Sequence, residues 1–298
     1  MHTTCQLKVF LTRTNLANHT SNLRLGGYRV NNKLQLEAHS NSKQKRFTGK
    51  SVLITGGAGG MGLAATKMFA AEGANVSVLD ISDDAGKKMT NDMNEAGYDV
   101  FFQQADLSKS NEINSGIDAV MDKNGRIDTL FNHAGSIIVK PFHLMTEPEY
   151  NKLMDINVRS AFFVIKRVVD IMVNNGGGSI VVTGSIGSGK AFVYESLYCM
   201  TKAAVLMLSN SVAVEYRDRG IRCNAVCPGF VKTAHGLREI HELDGLGQEW
   251  QDGDLAATQL RICEPEEVAS AVLFLASDEA SFINGAAIYV DNGWYVKG

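Results

Sequence analysis

Lys202 stands four residues after Tyr198, and none of the other seven tyrosines is followed by a lysine at that spacing. On a helix the spacing sets both side chains on one face. A phenol has a pKa of ~10 and is a poor base at neutral pH unless a fixed cation favours phenolate, and an ammonium one turn away supplies that field. Tyr-x3-Lys also occurs on ordinary helices, so the pair takes its meaning from its surroundings. Ser185, 13 residues upstream, closes a predicted strand. If the sheet is parallel, its carboxyl edge faces the crevice that binds ligands, where a hydroxyl can hydrogen-bond a substrate oxygen.

A second chemistry lies near the start of the body. The run Thr55-Gly56-Gly57-Ala58-Gly59-Gly60-Met61-Gly62 follows one predicted strand and opens a predicted helix. Glycines there allow a tight turn and let the backbone approach a pyrophosphate, while the helix N-terminus offers unpaired N–H groups and the positive end of its dipole. The next strand ends at Asp80, 18 residues past Gly62. A carboxylate there accepts hydrogen bonds from the adenosine ribose and repels a 2'-phosphate, which favours NAD over NADP. Ile81 adds no positive charge to reverse the preference. The competing reading is that Asp80 only caps the segment that follows.

These residues need a frame. From Lys50 on, apolar runs at Ser51–Thr55, Asn75–Asp80, Asp99–Gln103, Asp128–Asn132, Ser179–Thr183, Ile221–Cys227 and Ala287–Val290 read as strands. Their Val, Ile and Phe content without polar alternation suits strands buried on both faces. Helical spacing runs through Met61–Glu72, Asp84–Ala96, Asn111–Lys123, Glu147–Asn174, Leu197–Arg219 and Pro265–Ala276. This alternation predicts an α/β fold with a parallel sheet covered by helices on both faces. The stretch 233–263 shows no clear period and reads as a long excursion, which in a compact domain is usually a lid or binding loop.

With these motifs assembled, the chain from Thr48 to its end closely resembles the short-chain dehydrogenase/reductase family, in its form of about 250 residues. The T-G-x3-G-x-G turn at Thr55–Gly62, Asn132-His133-Ala134-Gly135, Asn157 within Asp155-Ile156-Asn157-Val158, Ser185 with Tyr198 and Lys202, and Pro228-Gly229 with Thr233 agree in order and spacing. The resemblance implies a single Rossmann-like, doubly wound domain of about seven strands that binds NAD. It also implies that Tyr198 is the acid/base, that Ser185 polarises the substrate oxygen, and that Lys202 holds the nicotinamide ribose and depresses the Tyr198 pKa. Asn157 would hold a water behind Lys202. Gly56, Gly60, Met61, Gly62, Asp80, Ile81, Asp106 and Leu107 would line the adenosine and pyrophosphate side, with Asp106 meeting the adenine. Asn132, Ala134 and Gly135 would line the cleft, and Pro228, Gly229, Val231 and Thr233 the nicotinamide end. His133 departs from the commonest motif, in which a second Asn stands there, and reads as a hydrogen-bonded structural histidine.

Charge narrows the classes further. Residues 1–49 hold eight Lys and Arg against one acid, leaving 21 basic and 31 acidic residues for positions 50–298. An acidic body argues against a nucleic-acid groove. The apolar run Ala161–Val173 is interrupted by Lys166, Arg167 and Asp170 and falls short of the ~20 residues that cross a bilayer, so no membrane span is expected. Five scattered cysteines suggest a reducing compartment, and Cys223 with Cys227 lacks the partners of a zinc site, so no metal is expected. Residues 1–49, with six Asn and no apolar period, read as a poorly ordered extension before a domain spanning 50–298. A cytoplasmic location is expected, with an organellar matrix as the alternative if the basic, acid-poor segment is a transit peptide.

Three functions compete. One is an NAD(H)-dependent oxidoreductase acting on a secondary alcohol or ketone. Another is a catalytically silent NAD-binding scaffold, disfavoured by the intact Asn157, Ser185, Tyr198 and Lys202 set. A serine hydrolase built on Ser185 fails because Thr183 breaks G-x-S-x-G. The substrate is not legible, although Ala191, Phe192, Val193, Leu237, Leu246 and Trp250 hint at a partly apolar pocket. The apolar faces of 147–174 and 197–219 exceed what one sheet surface needs, which suits a homo-oligomer, and the family resemblance implies a tetramer.

Overall fold

The computed structural model describes residues 45–247 and 258–297. Seven strands form one sheet in the order β3-β2-β1-β4-β5-β6-β7, and every pairing is parallel. The strands are β1 (Ser51–Thr55), β2 (Asn75–Asp80), β3 (Val100–Gln104), β4 (Thr129–Asn132), β5 (Gly178–Thr183), β6 (Ile221–Pro228) and β7 (Ala287–Val290). Three match the sequence reading end for end and the rest move by a residue or so. β1 is buried at all five positions, as expected of a strand covered on both faces.

The helices are α1 (Gly60–Ala71), α2 (Asp83–Glu95), α3 (Ser110–Asn124), α4 (Glu147–Met154), α5 (Ser160–Asn174), α6 (Ser196–Glu215), α7 (Ala234–Gly245) and α8 (Pro265–Ala276). Two apolar cores sandwich the sheet. Phe69 of α1, Met89 of α2 and Leu273 of α8 pack on one face; Ile117 of α3, Val168 of α5 and Val205 of α6 pack on the other. Chain order reverses between β1 and β4, so the crevice at their carboxyl ends is the switch point of the sheet.

Four differences from the sequence reading have physical causes. The helix read as 147–174 is broken by a π turn over Asp155–Arg159, which separates α4 from α5; its wide hydrogen-bond spacing leaves no trace in hydrophobic period. The excursion at 233–263 contains α7, hidden by Gly236 and a mixed polar sequence and started by Thr233, whose hydroxyl accepts from Gly236 N at 3.0 Å. By length and composition α6, not Ala161–Val173, could cross a bilayer, yet it carries Lys202 and packs Val205 and Val212 into the core. The packed body also begins before Lys50. Phe47 is buried edge-on against Phe69 at 4.8 Å, and Arg46 Nη2 pairs with Glu72 at 3.1 Å. Residues 1–44 lie outside the described residues.

The two ends of the excursion are clasped by buried Gln259. Its Oε1 accepts from Phe230 N at 3.0 Å, and its Nε2 donates to Phe230 O at 2.8 Å and Arg261 O at 3.0 Å. α7 is thereby anchored over the carboxyl edge of the sheet.

Candidate active site

A cavity of about 980 Å³ opens at the switch point. One wall is the glycine turn. Gly56 has φ +71°, and a Cβ there would lie 3.0 Å from Ala134 Cα; a Cβ on Gly62 would lie 2.0 Å from Gly56 O. The first glycine makes the turn and the last lets α1 close on it, so Gly62 acts through packing and does not line the cavity. At the Gly59 cap no side chain bonds the first N–H groups of α1, and the space beside Gly59 is open. That uncovered helix start, facing a cavity, fits a pyrophosphate.

Asp80 makes local backbone contacts, as the capping reading asked, and also lies in the wall of the cavity. Its Oδ2 accepts from Ala58 N at 3.0 Å, steadying the glycine turn, and its Oδ1 accepts from Ser82 N at 3.0 Å in a local turn. It lines the cavity beside Gly56, Gly60 and Met61, with Ile81, Asp106 and Leu107 along the same side. The Asp106 carboxylate is engaged by Ser108 Oγ at 2.7 Å and Lys109 Nζ at 3.2 Å. The Ser108 hydroxyl, foremost among the groups that favour its charge, helps hold its pKa below the ordinary carboxylate value. Ala134 and Gly135 line the cleft, whereas Asn132, at the buried end of β4, does not. Pro228, Gly229, Val231 and Thr233 form the opposite end. The Thr233 side chain also caps α7.

β5 delivers Ser185 and α6 delivers Tyr198 and Lys202 to the same cavity. Both Ser185 and Tyr198 line it, and the Ser185 hydroxyl favours the charged form of the phenol. Ser185 Oγ accepts from Gly187 N at 3.0 Å, and Ser188 Oγ donates to Lys202 O at 3.0 Å, which ties the strand end to the helix. Lys202 Nζ is buried, lies 5.7 Å from the centre of the Tyr198 ring, and donates to Thr183 O at 2.8 Å. Burial lowers its pKa to about 8. Asn157, on the π turn, does not line the cavity. Its Oδ1 accepts from Ser136 N at 2.8 Å, and its Nδ2 donates to Ser136 O and Thr201 Oγ1, each at 2.9 Å, pinning the cleft loop to α6.

The electrostatics of Tyr198 run opposite to the expectation from Lys202. The phenol pKa is raised, first by burial and then by the Glu239 carboxyl, with Glu195 adding to it and the Ser185 hydroxyl opposing. The neutral phenol is therefore the stable form of Tyr198.

Sequence reasoning missed Glu195, Glu239 and His235, all of which line the cavity. No motif marks them, because α7 was not legible as a helix and Glu195 only precedes α6. Burial raises the Glu195 carboxyl to about 7. Burial and the neighbouring Glu195 raise Glu239 well above the ordinary value. His235 is held neutral, with a pKa of about 4, by burial and then by the charges of Arg238 and Lys202. His133 is hydrogen-bonded as expected, through Nδ1 to Thr183 Oγ1 at 3.0 Å, and stacks on Phe131. Of the apolar residues named for the pocket, Phe192 lines it and packs against Trp294, 5.3 Å between ring centres. Ala191, Val193, Leu237 and Leu246 do not line it, and Trp250 lies outside the described residues.

The family model described as enoyl-(acyl carrier protein) reductase matches residues 56–295. A 2,5-dichloro-2,5-cyclohexadiene-1,4-diol dehydrogenase of Sphingobium indicum is 34% identical over 251 residues, 84% of this chain and 98% of that protein. The crystal structure of a levodione reductase superposes with a TM-score of 0.81 at 32% identity, over 85% of this chain and 100% of the other. A 3-ketoacyl-(acyl-carrier-protein) reductase from Brucella melitensis complexed with NADH gives a TM-score of 0.75 at 26% identity, over 83% of this chain and 99% of the other. A match over most of the length, in sequence and in fold, means that the chain belongs to the short-chain dehydrogenase/reductase family of oxidoreductases.

Proposed function

We propose that the protein is an NAD(H)-dependent oxidoreductase that moves hydride between nicotinamide and a secondary alcohol or ketone, with Tyr198 as acid/base. The observation that carries this reading is the convergence of Ser185, Tyr198 and buried Lys202 on one cavity that also holds an uncovered helix start. When bound, the nicotinamide supplies the hydride acceptor or donor at its C4. The protein contributes the proton and the alignment. In reduction, Ser185 holds the carbonyl oxygen and Tyr198 passes its phenolic proton to that oxygen. In oxidation, the alcohol O–H proton returns to Tyr198 while the C–H bond breaks. Lys202, charged and buried beside the phenol, steadies the phenolate left after proton donation. Asp80 would face the adenosine ribose and select NAD.

The same reading includes assembly as a homo-oligomer, a tetramer by family resemblance, supported by exposed Phe162, Met207 and Val214 on α5 and α6. The test of catalysis is Tyr198→Phe. It should lose about 100-fold or more of turnover, because it removes a proton donor, and keep NADH affinity within about twofold. Stopped-flow absorbance at 340 nm and NADH fluorescence titration read the two quantities. Retained turnover would sink the assignment. Lys202→Met should weaken both.

A further inference from the structure

The helix that opens on Glu195 begins in an unusual way. Glu195 is the N-cap of α6, where an acidic side chain ordinarily accepts the helix's first N–H groups, yet it makes no such bond. Its side chain is buried, at 5% exposure, and shares the wall of the ligand cavity with Glu239 of α7, the two carboxyls acting on each other. The residue before it, Tyr194, has φ +65°, a conformation that costs a non-glycine residue free energy. Two neighbouring carboxyls, Glu195 buried and Glu239 half-buried, disfavour each other's charge, and such a pair weakens a fold in which apolar side chains would serve better. Stability does not account for it. Both carboxyls face the ligand cavity, and both act electrostatically on Tyr198.

We propose that Glu195 and Glu239 are specificity-determining residues, and that this pair of carboxyls in one cavity wall selects a neutral substrate bearing a second hydroxyl near the carbon that reacts, while rejecting carboxylates. The inference rests on the oxidoreductase reading for the reaction but not for the recognition. With one proton on it, the pair offers the cavity acceptor lone pairs and a net negative charge. A substrate hydroxyl donates to it through a charge-assisted hydrogen bond. An ether or methylene at the same place gains nothing, and a carboxylate meets like charge in a poorly solvated wall. Phe192 and Trp294 give the same end of the cavity an apolar surface, which fits the carbon frame of a diol. A cyclic or branched diol, or the corresponding hydroxyketone in reduction, satisfies both surfaces.

The experiment compares cyclohexane-1,2-diol, 2-methoxycyclohexanol, cyclohexanol and 2-hydroxycyclohexanecarboxylate in wild type and in the double variant Glu195→Gln, Glu239→Gln, which keeps size. Turnover is read as kcat/KM with NAD. Binding is read separately as quenching of tryptophan fluorescence, since Trp294 lines the cavity. Wild type should favour the diol over cyclohexanol and the methyl ether by about 10-fold or more, the range of one hydrogen bond to a charged group. The variant should narrow that ratio and raise kcat/KM for the carboxylate about 10-fold. Equal use of diol, ether and monol by wild type, with no change in the variant, would overturn the pair's role and leave the oxidoreductase reading standing. Selective binding of the diol without oxidation of any probe, lost in the variant, would support the pair and overturn the reaction. Absence of both turnover and selective binding would overturn both.

Discussion

Asp80 shows how much work one carboxylate can do. It accepts the Ala58 N–H that steadies the glycine turn and still lines the cavity where an adenosine ribose would lie. Removing it should therefore act twice, loosening the turn and relieving repulsion of a 2'-phosphate. Asp80→Ser is expected to lower kcat/KM for NAD and narrow an NAD preference of about 10-fold or more. Ile81→Arg in that background should move the ratio further toward NADP. The measurement is kcat/KM for both cofactors in all three proteins. Equal use of both by wild type would show that Asp80 does not face the ribose.

The contact between α6 and α7 should be visible in stability as well as in specificity. The Glu195 carboxyl titrates near 7 in the fold against 4.5 when free. A raised carboxyl pKa means that the folded state holds the proton more tightly, so the favourable contribution is complete below 4.5 and is lost as pH rises through 7. The groups bearing on the pair are Tyr198 and Cys199 on α6 and Arg238 and Glu242 on α7. His133 and His235, kept neutral at pKa values of about 3 and about 4, work in the opposite direction, since their contribution is lost on acidification. A difference measurement separates the two. The thermal midpoint of the Glu195→Gln, Glu239→Gln variant, less that of wild type, should increase as pH rises between 4.5 and 7. A flat difference by scanning calorimetry would mean that the two carboxyls are not held protonated by the fold.

For the chain as a whole, the boundary of the packed body sets which truncation is harmless. Phe47 fills a pocket against Phe69, and Arg46 bonds Glu72 through both its backbone and its side chain. Deleting residues 2–44 should leave turnover unchanged and the thermal midpoint within a few degrees. Extending the deletion through Phe47 should lower the midpoint, because burial of a Phe side chain is worth about 1.5–3 kcal/mol. Activity and midpoint of the two truncated proteins decide the matter. A large loss from the shorter deletion would mean that the basic segment packs on the body. We propose a cytoplasmic location, with an organellar matrix as the alternative, and comparing where full-length and truncated chains accumulate would test the choice.

The parallel sheet, the glycine turn and the serine, tyrosine and lysine were all readable before any coordinates. Each rests on short-range chemistry: unbroken β-branched runs, a turn that only glycine can make, and a one-turn spacing on a helix. What the chain could not disclose alone are the features made by residues distant in sequence. The π turn at Asp155–Arg159 is a matter of hydrogen-bond spacing, invisible to hydrophobic period. α7 is masked by Gly236 and is held over the cleft by its cap at Thr233 and by the Gln259 clasp, a side chain bonded to Phe230, 29 residues away and just past β6. The tertiary fold alone brings Glu239 to Glu195 and both to Tyr198, reversing the expected pull on the phenol. A pKa depends on every charge and on the solvent displaced around a group, and those neighbours are set by packing in space and not by order along the chain.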